Sequence, residues 1–142
     1  MFTINKEDLK LCILPAEHLS EAAELAADAF DNSPLYNTIV GYPSSNATDA
    51  ELAHHDSFRN RFLCWFFERN FRVRLGTSAN RAVFDNNGKL IAFFMFVSPD
   101  IPNVGILDMI RVGFFAAPFL FGFGVMQRFL SIKEVYEGIM ML

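Results

Sequence analysis

Cysteine is scarce in this chain of 142 residues. Cys12 and Cys64 are the only two, far apart and without C-x-x-C spacing. That argues against a disulfide-stapled scaffold or a thiolate metal cluster. Both are read as reduced, buried thiols of an intracellular protein, with the cytoplasm as the expected compartment. Positive charge is also short: twelve Lys and Arg against sixteen Asp and Glu leave a net charge of −4. With a pI near 5.3, the chain lacks the basic surface that dominates phosphate-backbone affinity, so no nucleic-acid partner is expected. Long apolar runs are missing as well. The most apolar uncharged stretch, Val112 to Gln127, has 16 residues, contains Pro118 and three glycines, and is bracketed by Arg111 and Arg128. A spanning helix needs about 20 apolar residues, so a membrane partner is disfavoured. The opening residues Met1 to Asp8 show neither a basic nor an apolar signal region, and no secretory signal is expected.

What the chain has in excess is phenylalanine, 17 residues of it, in a composition that is 52% hydrophobic. A load of that kind must be buried or bound to something, and the length suits one domain with one core. Charge is divided along the chain. Residues 1–56 carry 10 acidic and 2 basic side chains, and residues 57–142 carry 6 acidic and 10 basic. Six of the basic residues fall between Arg59 and Arg81, where a solvated helix face is the simplest account.

Hydrophobic spacing sets the expected elements. Lys10 to Leu14 reads as a strand stopped by Pro15. Leu19, Ala22, Ala23, Ala26 and Phe30 make one helical stripe, with Ser20 as a plausible cap and Asp31-Asn32-Ser33-Pro34 as the breaker. Leu35 to Asn46 reads as a short turn or helix followed by a loop, and a long helix is expected from about Ala47 to Phe71. Its Phe58, Phe62, Trp65 and Phe66 share a face and read as core, with the interleaved arginines as rim. Arg81–Phe84 and Lys89–Val97 form a hairpin around Asp85-Asn86-Asn87-Gly88, whose Asn-Gly supplies positive φ. The second hairpin strand is apolar on both faces and is expected in the middle of a sheet covered on both sides. A last amphipathic helix is expected from Ser131 to Leu142, capped by Ser131 with Glu134 in the capping-box position.

Three stretches together resemble the N-terminal part of the GNAT superfamily of N-acetyltransferases. The first is Ile13-Leu14-Pro15-Ala16-Glu17-His18-Leu19 through Ala29-Phe30, similar to the family's opening strand and first helix. The second is Val83-Phe84-Asp85-Asn86-Asn87-Gly88-Lys89-Leu90-Ile91-Ala92-Phe93, similar to its central hairpin. The third is Phe96-Val97-Ser98-Pro99 followed by a long helical insertion. The resemblance implies an α+β fold, a partial GNAT-like acyl-CoA N-acyltransferase with a short, mainly antiparallel sheet packed by helices. Its strands would lie near residues 10–14, 81–85 and 89–97. It also implies acetyl-CoA as co-substrate, a small-molecule or peptide amine as acceptor, and direct attack of the deprotonated amine on the thioester carbonyl. The family's Q/R-x-x-G-x-G/A cofactor loop is not present. Gly122-Phe123-Gly124 is the only close glycine pair, and Phe119 stands where Gln or Arg is required. The 142 residues are therefore expected to form a single incomplete domain, inactive by itself. The edge of its 89–97 strand would be open to self-association.

By the same resemblance, the acceptor pocket involves the loop after the first helix and the end of the central hairpin strand. The matching positions are Phe30, Asp31, Leu35 and Tyr36, with Phe96 and Ser98 at the strand end. No catalytic or cofactor-binding residue can be named. His54-His55-Asp56 has no third ligand at useful spacing, so no metal is expected. Two other classes stand beside the enzyme reading. One is a non-catalytic interaction domain pairing through an exposed sheet edge; the other is a membrane-associated protein using residues 107–130.

Overall fold

The computed structural model describes residues 9–96, 99, 101 and 104–140, with residues 133–140 as backbone only. Helix and sheet are mixed. Strand β1 (Lys10–Ile13) leads through a 3-10 turn at Ala16–His18 into α1 (Leu19–Ala29), then α2 (Pro34–Val40) and the long α3 (Asp49–Val73). The hairpin β2 (Asn80–Phe84) and β3 (Leu90–Met95) follows. The chain ends in α4 (Ile106–Arg111), a 3-10 turn, α5 (Ala117–Phe121) and α6 (Phe123–Met140).

Each element has a local cause. Helix α3 starts at a reciprocal capping box: Thr48 Oγ1 accepts from the Glu51 backbone N–H, and Glu51 Oε2 accepts from the Thr48 N–H at 2.8 Å. Proline at the start of α2 suits the first helical turn, where its missing N–H costs nothing. In the hairpin turn Asp85 Oδ1 accepts from the backbone N–H groups of Asn87 and Lys89, both at 2.9 Å, and Gly88 takes φ +77°.

The sheet has the order β1-β2-β3, antiparallel throughout. Helices cover one face of it. Ala82, Phe84 and Leu90 are buried there with α1 residues Leu19, Ala22, Ala23 and Ala26 and α3 residues Phe62, Leu63, Phe67 and Phe71. The alanines on α1 let its backbone approach α3 closely. Asn80 is the one buried polar residue among those described, and its Nδ2 donates to the Phe71 carbonyl at 2.7 Å, tying β2 to the end of α3.

Three expectations change. Strand β3 is not central: it pairs with β2 alone among the described residues, and Leu11, Ile13 and Phe94 are exposed on the sheet. A doubly apolar pattern reports what a strand could bury, not what the chain supplies to cover it. Ser20 does not cap α1; the helix starts one residue earlier, at Leu19, behind His18, whose Nδ1 lies 2.8 Å from Glu21 Oε2. Ser131 is not a cap either. It sits inside α6, and its Oγ donates to the Gln127 carbonyl at 3.0 Å, the bond a helix-interior serine makes when its own turn is already formed.

Helix α6 is anchored by Arg128. Its Nε donates to the Ile39 carbonyl and its Nη2 to the Val40 carbonyl, each at 2.8 Å. Those carbonyls end α2, so a cation meets the negative end of a helix. His55 adds a third contact there, with Nε2 2.7 Å from the Gly41 carbonyl. An oxygen acceptor at that distance requires Nε2 to carry the proton. Among the described residues no helix is long and apolar enough to cross a membrane.

Candidate functional site

The aromatic stripe on α3 fills more than the core. From the turn that follows Phe62 onward, Phe66, Phe67, Asn70 and Phe71 lie on the part of α3 that faces β3. Together with Phe30 and Tyr36 they border a cavity of about 450 Å³ whose remaining wall is Phe93, Phe94 and Met95. That size falls in the range of about 300–1,000 Å³ usual for small-molecule sites. None of the nine lining residues carries a formal charge.

The rings support one another. Phe30 lies 5.6 Å from Tyr36 and 5.4 Å from Phe67, Tyr36 lies 5.4 Å from Phe67, and Phe71 lies 4.9 Å from Phe93. Each such pair adds about 0.5–1.5 kcal/mol beyond area burial, so the cage is held by its own walls. The β3 wall is unusual. Side chains alternate along a strand, so three consecutive residues can border one cavity only if the cavity meets the strand at its edge. The cavity therefore lies beside the edge of β3 that has no partner among the described residues. Phe96 N–H donates to the Ala79 carbonyl at 2.8 Å, toward β2. By alternation, the N–H groups of Met95 and Phe93 face the open side.

Asn70 supplies the polar handle. Its Nδ2 donates to the Phe66 carbonyl at 2.8 Å, one turn back on α3. A carbonyl only accepts, so this bond fixes the amide orientation and leaves the side chain with one further Nδ2 N–H donor and the acceptor Oδ1.

Of the six residues expected from sequence, the structure brings Phe30 and Tyr36 to this cavity. Asp31 does not border it. Its Oδ1 accepts from Arg59 Nε at 3.1 Å and Nη2 at 2.9 Å, pinning the turn after α1 to α3. Leu35 packs against the core, and Phe96 is 64% exposed beyond the strand end. Ser98 lies outside the described residues. The α3 contribution was missed because Phe66 reads as core by spacing, and Phe67, Asn70 and Phe71 match no motif. The one available signal was the run Trp65-Phe66-Phe67, too wide for a single buried stripe.

Gly122-Phe123-Gly124 does not fit a cofactor loop. Helix α5, not a strand, precedes it, and Phe119 and Phe123 stand exposed on either side of Gly122. Cys64 is a poor nucleophile: burial first, then the carboxylates of Glu24 and Asp28, push its thiol above the ordinary range. Among the described residues no group of three or more His, Cys, Asp or Glu is placed to hold a metal ion. Comparison with protein-family models, curated proteins and solved structures finds no match to this chain.

Proposed function

We propose that this chain forms the acceptor-binding part of a GNAT-like N-acetyltransferase, which moves the acetyl group of acetyl-CoA to an amine. One observation carries the reading. Two of the residues that the resemblance assigns to the acceptor, Phe30 and Tyr36, border one cavity, and its far wall includes Met95, the residue before the expected strand-end position Phe96. The antiparallel order β1-β2-β3, with α1 and α3 on one face, supports it further. So does the position of the open β3 edge, where the resembled fold adds its next strand.

In this reading the cage residues bind the body of the acceptor and exclude water from it. Asn70 Oδ1 receives an N–H of the acceptor, and the Asp31–Arg59 pair holds the turn that carries Phe30. The chain has no Q/R-x-x-G-x-G/A loop, so acetyl-CoA is held by sequence outside these 142 residues and the chain alone is inactive. No residue here is assigned as base or acid. Sequencing the source transcript past the codon for Leu142 tests the proposal. An in-frame continuation encoding a strand and the glycine loop, in a product that acetylates amines, is the expected result; a stop codon at that position sinks it.

The open edge favours one competing reading, an interaction domain that completes its sheet with another chain. Ile91, Phe94, Met95 and Phe96 are all exposed along that strand. It predicts a stable complex and no thermal shift with acetyl-CoA.

A further inference from the structure

We infer that the face formed by α4, α5 and the start of α6 rests on the surface of a lipid bilayer, with Phe119 and Phe123 at the acyl boundary and Arg111 at the level of the lipid phosphates. The inference does not depend on the acetyl-transfer reading. Three observations lead there. The first is exposed apolar surface that is continuous. Phe119 and Phe123 are 83% and 73% exposed, and their ring centroids lie 6.2 Å apart. Ile106, Ile110, Phe115 and Leu130, exposed as well, border one groove of about 510 Å³ with Pro118, the residue before Phe119. Contiguous surface of this kind marks a contact.

The second observation separates lipid from protein as the occupant. From Val112 to Val125 no side chain can donate or accept a hydrogen bond. Protein interfaces carry about one hydrogen bond per 100–200 Å² within a polar rim, and a partner protein would find no side-chain groups for them along this stretch. Lipid asks instead that backbone groups be satisfied within the chain. At the turns between these helices the N–H groups of Val112, Gly113, Ala116 and Gly122 donate to the carbonyls of Asp108, Ile110, Gly113 and Pro118. Pro118, in the first turn of α5, has no N–H to satisfy. Among the described residues no helix is long and apolar enough to span, so the contact is that of short helices lying in the interface plane.

The third is the placement of charge at the rim. Asp108 is turned back on its own helix: Oδ2 accepts from the Gly105 N–H at 3.1 Å, and Oδ1 lies 3.6 Å from Arg111 Nη1. Arg111, in the last turn of α4, is more than three-quarters exposed and keeps N–H donors free for a phosphate oxygen. On the far side of the uncharged stretch, Arg128 is committed to the carbonyls of α2. The rim therefore offers one available cation, the charge that complements lipid phosphate.

Flotation of the intact chain with vesicles tests this, because aggregated protein does not rise with lipid. The chain should float with phosphatidylcholine vesicles. It should bind about fivefold more tightly when a minor share of the lipid is phosphatidylserine, the increment of one cation at an anionic surface. Phe119→Ser combined with Phe123→Ser should weaken binding at least about tenfold. The thermal melt should stay unchanged, since neither ring is in the core. Phe119→Trp should float as the wild type does, and its added emission should be quenched by bromine-labelled acyl chains. Arg111→Gln should remove the phosphatidylserine increment and leave phosphatidylcholine binding within about twofold. Leu11→Ser, which takes an exposed apolar side chain from the sheet instead, should change nothing. No flotation with either lipid, undiminished flotation of the double serine variant, or an unquenched Trp at position 119 would each overturn the inference. So would a dimer in sedimentation velocity that the double substitution dissolves while vesicles go unbound, because the face is then a protein interface.

Discussion

Glu51 and Cys64 show how neighbours a few ångströms away set the chemistry of single residues. Glu51 accepts from both the Thr48 N–H and the Thr48 hydroxyl, and these bonds hold its carboxyl below the ordinary value of 4.5. A lowered pKa in the folded state means the native carboxylate binds protons less readily than the unfolded one. The contribution is therefore fully present above the unfolded value and is lost as pH falls through the folded one. Glu51→Gln should flatten part of the fall in urea midpoint between about pH 5 and pH 3, with little change at neutral pH. An unchanged acid limb in the variant would show that the capping box is not the group being titrated. The raised Cys64 thiol has a kinetic consequence. At pH 8 less of it is thiolate than in a free cysteine, so its labelling by a disulfide reagent should be slower than that of free cysteine. Faster labelling would contradict the burial and the adjacent carboxylates.

Helices α2 and α6 depend on each other through one arginine. The last carbonyls of α2 have no partner within their helix, and Arg128 reaches them from 88 and 89 residues further along the chain. Gly41 ends α2 at φ +99°, a backbone angle that favours glycine, and an added Cβ would crowd Arg128 Nη2 at 3.3 Å. Arg128→Met should cost about 1–2 kcal/mol, the low end for charged hydrogen bonds because part of the side chain stays in water. Faster amide exchange is expected in α2 and in 123–132 of α6, with β1 and β2 unaffected. Uniform loss of protection across the whole molecule would mean that α6 is not a separately anchored element. The arginine-rich part of α3 behaves as rim, as its spacing predicts: Arg59 pairs with Asp31, and Arg61 and Arg69 lie 5.7 Å and 5.8 Å over Phe58 and Trp65.

At the scale of the whole molecule, the unresolved balance is between apolar surface and what covers it. One sheet face is packed and the other carries Leu11, Ile13 and Phe94 in solvent, beside a β3 edge with no described partner. The C-terminal helices add Ile106, Leu107, Phe115, Phe119 and Phe123, each more than 60% exposed. Surfaces of this kind mark interfaces when they are contiguous. We expect concentration-dependent association of the chain, detected by sedimentation velocity at micromolar concentration. Met95→Lys should reduce it several-fold, because a charge on an edge strand opposes edge pairing. A wild-type chain that stays monomeric over that range would refute the edge as an association site. The same residue borders the candidate cavity, so association and ligand binding should compete.

The sequence by itself determined what depends on neighbours within a few positions. The α1 stripe from Leu19 to Ala26, the Asp31–Pro34 break, the long α3 and the Asn-Gly hairpin are all visible there, because spacing, capping and turn chemistry act over one to four residues. Phe30, expected in that stripe, instead ends the helix and is 43% exposed. Only the tertiary structure decided the rest. Among the described residues it left β3 paired with β2 alone, since nothing in a strand's own pattern reports whether another strand arrives. It ran α6 through Ser131, because an apolar periodicity that continues on both sides outweighs a local cap signal. And it assembled the cavity from residues 30–36, 66–71 and 93–95, which touch only because α1 and α3 pack on the same sheet face. Phe66, Phe67 and Phe71 have the same sequence signature whether they fill a core or line a pocket; the difference is whether the facing element fills the space, and here β3 leaves it open.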